Sequence, residues 1–563
     1  MSGPAARRAR FWRRWSSKAR SVSRASITFA FGPAILHNAT SVAVQVESKV
    51  GDDVRRGVIA RRRFGTRWTT ARGAFVGMFL LLLAATRLSH LVGEIDEPHG
   101  WRQADTAYYA YAFHEDGIDL LRPSVCWMGA HRTFIFEFPL HEAFVAVAYN
   151  LFGYDLLWAR LVTLAFFLGA TLYFFLIVGE LQGETTALVS TLIYASFPLA
   201  QFYSRAVHVD FAAVFFAHAS TYHLLASTRG KSVRLVPWIL GVAAGVVAFL
   251  IKAPYHFYFL FVLLAVPSTL ARVRRDVWYA SAFAVCVVVF LVWRRHVGAV
   301  NEAIPDWSFI QGYDRHDTSG AWYFGNLSMR IDPVVWFGLA RRLVKEVVGY
   351  IGLPAAVWGT FLICRRALHS GALHERVIVA WGLGVAAYWL IFTNLNHIHN
   401  YYQIPFLAIF AILIAVGSKD AVERISRRST AAAALAAGVW GVLLLASYCW
   451  RAEREYYHGD FARGEAARLI REHTPEHSLV VAAVEMPPVD WHDPRLLGRA
   501  DRAGWSVSQS DLTPTNVPKF KRIGANYLAV LATTVPDLTS LATQEVISYP
   551  VENGRWWLTL ARL

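Results

Sequence analysis

A chain of 563 residues that is 55% hydrophobic and only 17% charged, with a mean hydropathy of +0.33, is not an ordinary water-soluble globule. Its formal charge of +16 would suit a nucleic-acid partner, but residues 1–73 alone hold 16 Lys+Arg against 3 Asp+Glu. The other basic residues cluster at the ends of apolar runs, which argues for a bilayer and against nucleic acid as the main partner.

Residues 1–73 read as a basic cytoplasmic tail, partly disordered and suited to anionic lipid. The tail is too long, and too far from its apolar run, to resemble a cleavable signal peptide. Cys126, Cys286, Cys364 and Cys449 give neither a disulfide framework nor a metal spacing.

Apolar runs then predict spans at 75–92, 156–178, 185–203, 207–226, 235–251, 254–271, 277–294, 347–363, 377–394, 401–417 and 431–449. With the amino terminus inside, these about eleven crossings put the arginine-rich turns at 229–234, 272–275, 364–376 and 419–428 on the inner side. The run 139–152 is short and carries His141 and Glu142, so it reads as an interfacial helix; counted as a span, it would invert every later loop. The expected fold class is a polytopic α-helical membrane protein, integral to an inner or plasma membrane. Its membrane domain covers 74–450, with a first outer loop at 93–155 and a long outer loop at 294–346. Residues 451–563 change character: helical spacing at 464–473 and short strand-like runs at 479–484 and 527–531 predict a small extracytoplasmic α/β domain.

The polar residues of interest fall on the outer side. In the first loop, a helix over 101–113 stopped near Gly117 sets Arg102, Asp105 and Tyr109 on one face. An Asp beside an Arg stays ionised, as a general base needs, although an ordinary intrahelical ion pair has the same pattern. Asp210 follows Arg205 and His208 at the lip of a span, where a carboxylate needs either a partner or a task. Lys252 closes a span on the outer side, against the charge bias, and suits an anion as well as it suits snorkelling. His397, His399, Tyr401 and Tyr402 enter the same face, without the spacing of a metal motif. Two carboxylates, cations suited to phosphate and interfacial aromatics match group transfer from a lipid phosphate to an acceptor outside the membrane.

The run Trp101-Arg102-Gln103-Ala104-Asp105-Thr106, then Glu137-Phe138-Pro139-Leu140, Leu151-Phe152-Gly153, Arg160, Ser204-Arg205, Asp210, Ile251-Lys252-Ala253-Pro254 and Tyr401-Tyr402-Gln403-Ile404-Pro405 resembles the GT-C superfamily of polyprenyl-phosphate-sugar glycosyltransferases. Within it the chain is similar to the family 39, protein O-mannosyltransferase and lipid A aminoarabinose transferase group, over roughly 75–420. The resemblance implies a hexosyl- or pentosyltransferase with an inverting mechanism. Asp105 would be the base, preferred over Asp210, and Lys252, Arg205 and Arg102 would neutralise the donor phosphate. Tyr109, Glu137, His208, His397, His399, Tyr401 and Tyr402 would be candidate contacts of the substrates. The family's acidic pair is Asp-Glu, whereas Asp105 precedes Thr106, so Asp96-Glu97 stays open as the alternative. Relatives differ in their use of a divalent metal, which leaves the cofactor undecided. The partners implied are a polyprenyl-phosphate sugar and an acceptor protein, lipid or glycan. The competing reading, a transporter or flippase, predicts paired half-repeats and ionisable residues at span midpoints, and the sequence has neither.

Overall fold

The computed structural model describes residues 77–563 apart from 79, 80, 82, 268, 269, 309–319, 370–372, 486–492 and 542. The basic tail lies outside the described residues, as do 75, 76, 79, 80 and 82 of the first apolar run. The described part of that run is helical at 77, 78, 81 and 83–85 and turns from 86 onward.

Helix α1, Gly100–Asp116, stops where Gly117 takes φ +98, a left-handed conformation that only glycine adopts without strain. Helix α2, Leu140–Phe152, buries His141, Glu142, Val145 and Tyr149 and exposes Phe144, Val147, Leu151 and Phe152. That is a short helix with one buried face and one exposed apolar face, of the length the sequence predicts.

The long helices of the central region follow: α3 Leu156–Gln182, α4 Glu184–Ser196, α5 Asp210–Ser227, α6 Leu235–Lys252, α7 Arg272–Glu302, α8 Leu353–His369, α9 Leu373–Ile391, α10 Ile404–Ser426 and α11 Thr430–Tyr456. Asp155 caps α3 by accepting the Leu157 N–H at 2.8 Å. Five helices among the described residues are long and apolar enough to cross a membrane. A sixth is added if the pair Pro333–Val348 and Leu353–His369, bent by 100°, makes one span. Eleven unbroken spans are therefore not observed. The run 185–203 breaks before Pro198, whose ring cannot continue the preceding helix. The run 254–271 holds only a turn at Ala253–Tyr255 and the short helix Phe259–Ala265.

Helix α11 carries an exposed apolar face. Its most apolar window is only 17% buried, and Leu435, Val439, Val442 and Leu443 are all more than half exposed. An apolar stripe of that extent suits hydrocarbon rather than water. Antiparallel α5 and α6 bring Asp210 and Lys252 together at one end, with the turn 228–234 at the other. The basic turns pair among themselves, Arg229 with Glu180 and Arg366 with Asp420 at 3.8 Å.

Helices α8 and α10 cross on glycines. A Cβ on Gly359 would stand 1.9 Å from the Leu413 carbonyl, and one on Gly417 would stand 2.0 Å from the Ala355 carbonyl. Close backbone approach between membrane helices needs such small residues. Gly417→Val is expected to force the helices apart at a cost of at least about 1–3 kcal/mol, read as a lower melting temperature in detergent; Gly438→Val, with open space around it, is the control.

After α11 the chain forms helix α12, Phe461–His473, and a sheet of order β4-β3-β5-β7-β6. The strands are β3 Leu479–Val484, β4 Ala503–Val507, β5 Tyr527–Ala532, β6 Gln544–Val551 and β7 Trp556–Arg562. Strands β3, β4 and β5 are parallel, and β7 and β6 add antiparallel. One face packs Val481 and Ala483 against Trp505 and Phe520. The other packs Val480 and Ala482 with Ala466 and Ile470 of α12 and with Val125, Trp127 and Met128 of the first loop. A ribbon of β1, Asp96–Glu97, and β2, His458–Gly459, joins the same two regions.

Candidate active site

The acidic first loop is fixed from three sides. Arg160 of α3, buried, donates to the carbonyls of Leu91, Gly93 and Glu94 at 2.9, 3.0 and 2.6 Å. Arg205 donates to the His90 carbonyl and to Asp96 Oδ2 at 3.3 Å, and its guanidinium lies 4.2 Å over the Tyr457 ring. Arg499 donates to the Ile95 carbonyl at 3.2 Å and to the Asp460 carbonyl at 2.8 Å. Gln103 ties the loop to the turn before α5: its amide donates to the Asp96 carbonyl at 2.8 Å and accepts the Val207 N–H at 3.2 Å.

Beside that loop stands a buried cation. Lys252 Nζ donates to Asp210 Oδ1 at 2.8 Å, and His208 Nδ1 meets the other oxygen of Asp210. Rings wall the ammonium in, with Tyr401, Tyr402 and Tyr255 centred 4.5, 4.8 and 5.4 Å away. His208 lies 4.7 Å from Tyr401, His399 stacks on Tyr401 at 4.9 Å, and His99 sits edge-on to His399 at 5.0 Å. Residues expected from three separate outer segments therefore meet here: Asp210, His208, Lys252, His399, Tyr401 and Tyr402. His397 does not join them. Its side chain is exposed, and its carbonyl accepts from Arg342 at 2.9 Å.

The remaining candidates take other partners. Arg102 pairs with Glu137 and lies 5.1 Å over Phe136. Tyr109 donates to the Phe134 carbonyl at 2.6 Å and accepts the Phe136 N–H at 3.3 Å, so it holds the backbone there. Asp105 is 2% exposed, and its Oδ1 accepts the Trp127 indole N–H at 3.0 Å. Trp127 is part of the core shared with the carboxyl-terminal sheet, so Asp105 is enclosed by packing. Asp96 differs. It commits Oδ2 to Arg205, while Oδ1 has no hydrogen-bond donor among the described residues. Glu97 commits both oxygens, one to the Gly100 N–H at 3.0 Å and one to Arg495 at 3.3 Å.

Sequence spacing did not single out His99, Tyr255 or Glu142 as site residues. The available signal for Glu142 was a His-Glu pair inside an otherwise apolar run. Both side chains are fully buried. Burial, with His208 and Arg102 as nearby cations, depresses the His141 imidazole to about 3. Burial and the neighbouring His208 and Arg342 do the same to His99, also to about 3. A histidine held neutral in the fold gives stability that is complete above its unfolded value of 6.5 and is lost as pH falls below it. The melting temperature is therefore expected to fall between pH 7 and pH 5, and His141→Gln should remove part of that slope. An unchanged slope would show that His141 is not the group being titrated.

No group of three His, Cys, Asp or Glu side chains is arranged to hold a metal ion among the described residues. Asp210, the carboxylate in the cluster, is instead matched by an ammonium and an imidazole. This donor set does not fit a divalent metal.

Residues 137–293 match the family model described as dolichyl-phosphate-mannose-protein mannosyltransferase. None of the curated proteins matches the chain. Among solved structures, ArnT from Cupriavidus metallidurans bound to undecaprenyl phosphate superposes with a TM-score of 0.57 at 16% identity, covering 87% of this chain and 98% of its own. The archaeal oligosaccharyltransferase AglB from Archaeoglobus fulgidus, in complex with an inhibitory peptide and a dolichol-phosphate, superposes with a TM-score of 0.55 at 12% identity, covering 82% of this chain and 69% of its own. The family match and the shared fold support the GT-C resemblance, and neither supports a transporter.

Proposed function

We propose that this chain, GT-C in fold and in its match over 137–293, is a glycosyltransferase that moves a sugar from a polyprenyl phosphate to an acceptor hydroxyl at the extracytoplasmic face. The observation that carries the reading is Lys252: a buried ammonium at the outer end of α6, walled by Tyr255, Tyr401 and Tyr402, beside a loop with one open carboxylate oxygen. The donor phosphate is a dianion in the leaving state and needs charge neutralisation more than it needs a proton. Two of the three N–H bonds of Lys252 are not used by Asp210 and are available to it.

Attack by the acceptor hydroxyl on the anomeric carbon breaks the carbon–oxygen bond to phosphate and releases a proton to a base. A single displacement inverts the configuration and needs one carboxylate. Asp105, favoured by spacing, is enclosed against Trp127, and both oxygens of Asp210 are matched by Lys252 and His208. Asp96 keeps Oδ1 open, and Arg205 holds the carboxylate in place, so the base in this reading is Asp96. The transferred sugar is a hexose or a pentose. The amino terminus is cytoplasmic, and residues 451–563 lie with the active site outside the membrane.

Reconstituted in nanodiscs with undecaprenyl-phosphate sugars, the chain is expected to release bare undecaprenyl phosphate only when an acceptor is supplied. In cells, deletion should cause one polyprenyl-phosphate sugar to accumulate and one envelope modification to disappear, read by mass spectrometry. No accumulation and no lost modification would reject the reading.

A further inference from the structure

Glu142 lies fully buried in the first turn of α2, and neither carboxylate oxygen has a hydrogen-bond partner among the described residues. Leaving such a group desolvated and unmatched is costly, so it needs either a role in the fold or a ligand. The fold gives it little, because no other residue donates to it and the one backbone N–H that bears on it is its own. The cations whose charge reaches it are Arg102, the stronger, and Lys252. Arg102 spends one arm of its guanidinium on Glu137, while Nη1 is buried and has no partner. An acceptor and a donor, both desolvated and both unmatched, thus stand next to the cation proposed for the donor phosphate.

A carboxylate in that position repels phosphate, so phosphate is not its ligand. The donors that arrive attached to the phosphate are the hydroxyl groups of the transferred sugar. Sugar hydroxyls both give and accept hydrogen bonds, which is the pairing that Glu142 and Arg102 Nη1 offer. Resting on the glycosyltransferase reading, we infer that Glu142 and Arg102 form a subsite that recognises hydroxyl groups of the sugar carried on the polyprenyl phosphate. Burial also pushes the Glu142 carboxyl up to about 7, so near neutrality it can accept or give a hydrogen bond.

The test compares bare undecaprenyl phosphate with undecaprenyl phosphate carrying mannose, glucose, galactose or arabinose, using binding to the full chain in nanodiscs. The wild type is expected to prefer one loaded carrier over the bare lipid by about tenfold or more, since a site built for a hydroxyl discriminates against its absence. Glu142→Met should bind the bare lipid as the wild type does and lose that preference, with Glu142→Gln retaining part of it. The melting temperature of Glu142→Met should hold or rise, because an unmatched buried carboxylate has been replaced by an apolar chain of similar length. Undiminished preference in Glu142→Met overturns the inference while leaving the glycosyltransferase reading intact. A collapse of its melting temperature overturns it too, by showing a structural role. If the wild type binds no carrier at all, both readings fall.

Discussion

Asp96→Asn is expected to lower sugar transfer by about 10²–10⁴-fold, the usual contribution of a positioned base, with donor binding unchanged. The substitution should leave the loop standing. The Asp96 carbonyl keeps its bond from Gln103, and the backbone keeps its pairing with Gly459. Asn also keeps an oxygen for Arg205. What is lost is the ability of Oδ1 to take a proton. Asp105→Asn is the contrasting variant: the amide oxygen still accepts the Trp127 indole N–H, so transfer should stay within about tenfold of wild type. Initial rates at saturating donor separate the two. If Asp105→Asn abolishes transfer while Asp96→Asn does not, the base assignment is wrong.

Lys252→Met carries the second large effect, on stability as well as on chemistry. Asp210 is fully buried and its charge is matched chiefly by Lys252. Removing one member of a buried pair leaves an uncompensated charge, at a cost of about 3–5 kcal/mol. The double variant Lys252→Met with Asp210→Asn should recover most of that stability, because no net charge then remains to be matched. It should not recover transfer, because the donor phosphate still lacks its cation. Melting temperature and donor binding measured on the three proteins distinguish the roles. Recovery of transfer in the double variant would show that Lys252 serves only to neutralise Asp210.

Where neighbouring residues decide the outcome, the sequence could be read directly. Gly117 ends α1 through its own backbone freedom, and the run 139–152 matches the short helix α2 in length. Charge bias likewise put Asp210 and Lys252 at one end, where α5 and α6 bring them into contact. Local spacing failed where the deciding partner is distant along the chain. Arg102 and Asp105 share a helical face, yet Arg102 pairs with Glu137 and Asp105 meets Trp127. Spacing favours Asp105, and nothing local reveals its packing against Trp127 or the pairing of Asp96 with Arg205. The helix breaks were not legible for a related reason: an apolar run records hydrophobicity but not where Pro198 or the turn at Ala253–Tyr255 interrupts the helix. A strand of two residues, such as β1, has no sequence signal at all.

That short ribbon has a consequence for biosynthesis. Asp96–Glu97 is translated before the long membrane helices, and its partner His458–Gly459 follows the last of them. Closing so large a loop is entropically costly and slow, and it cannot begin until the final helix has entered the bilayer. A ribosome-stalled or prematurely terminated chain would thus expose the acidic segment without its clasp, and catalytic competence would appear only once synthesis is complete.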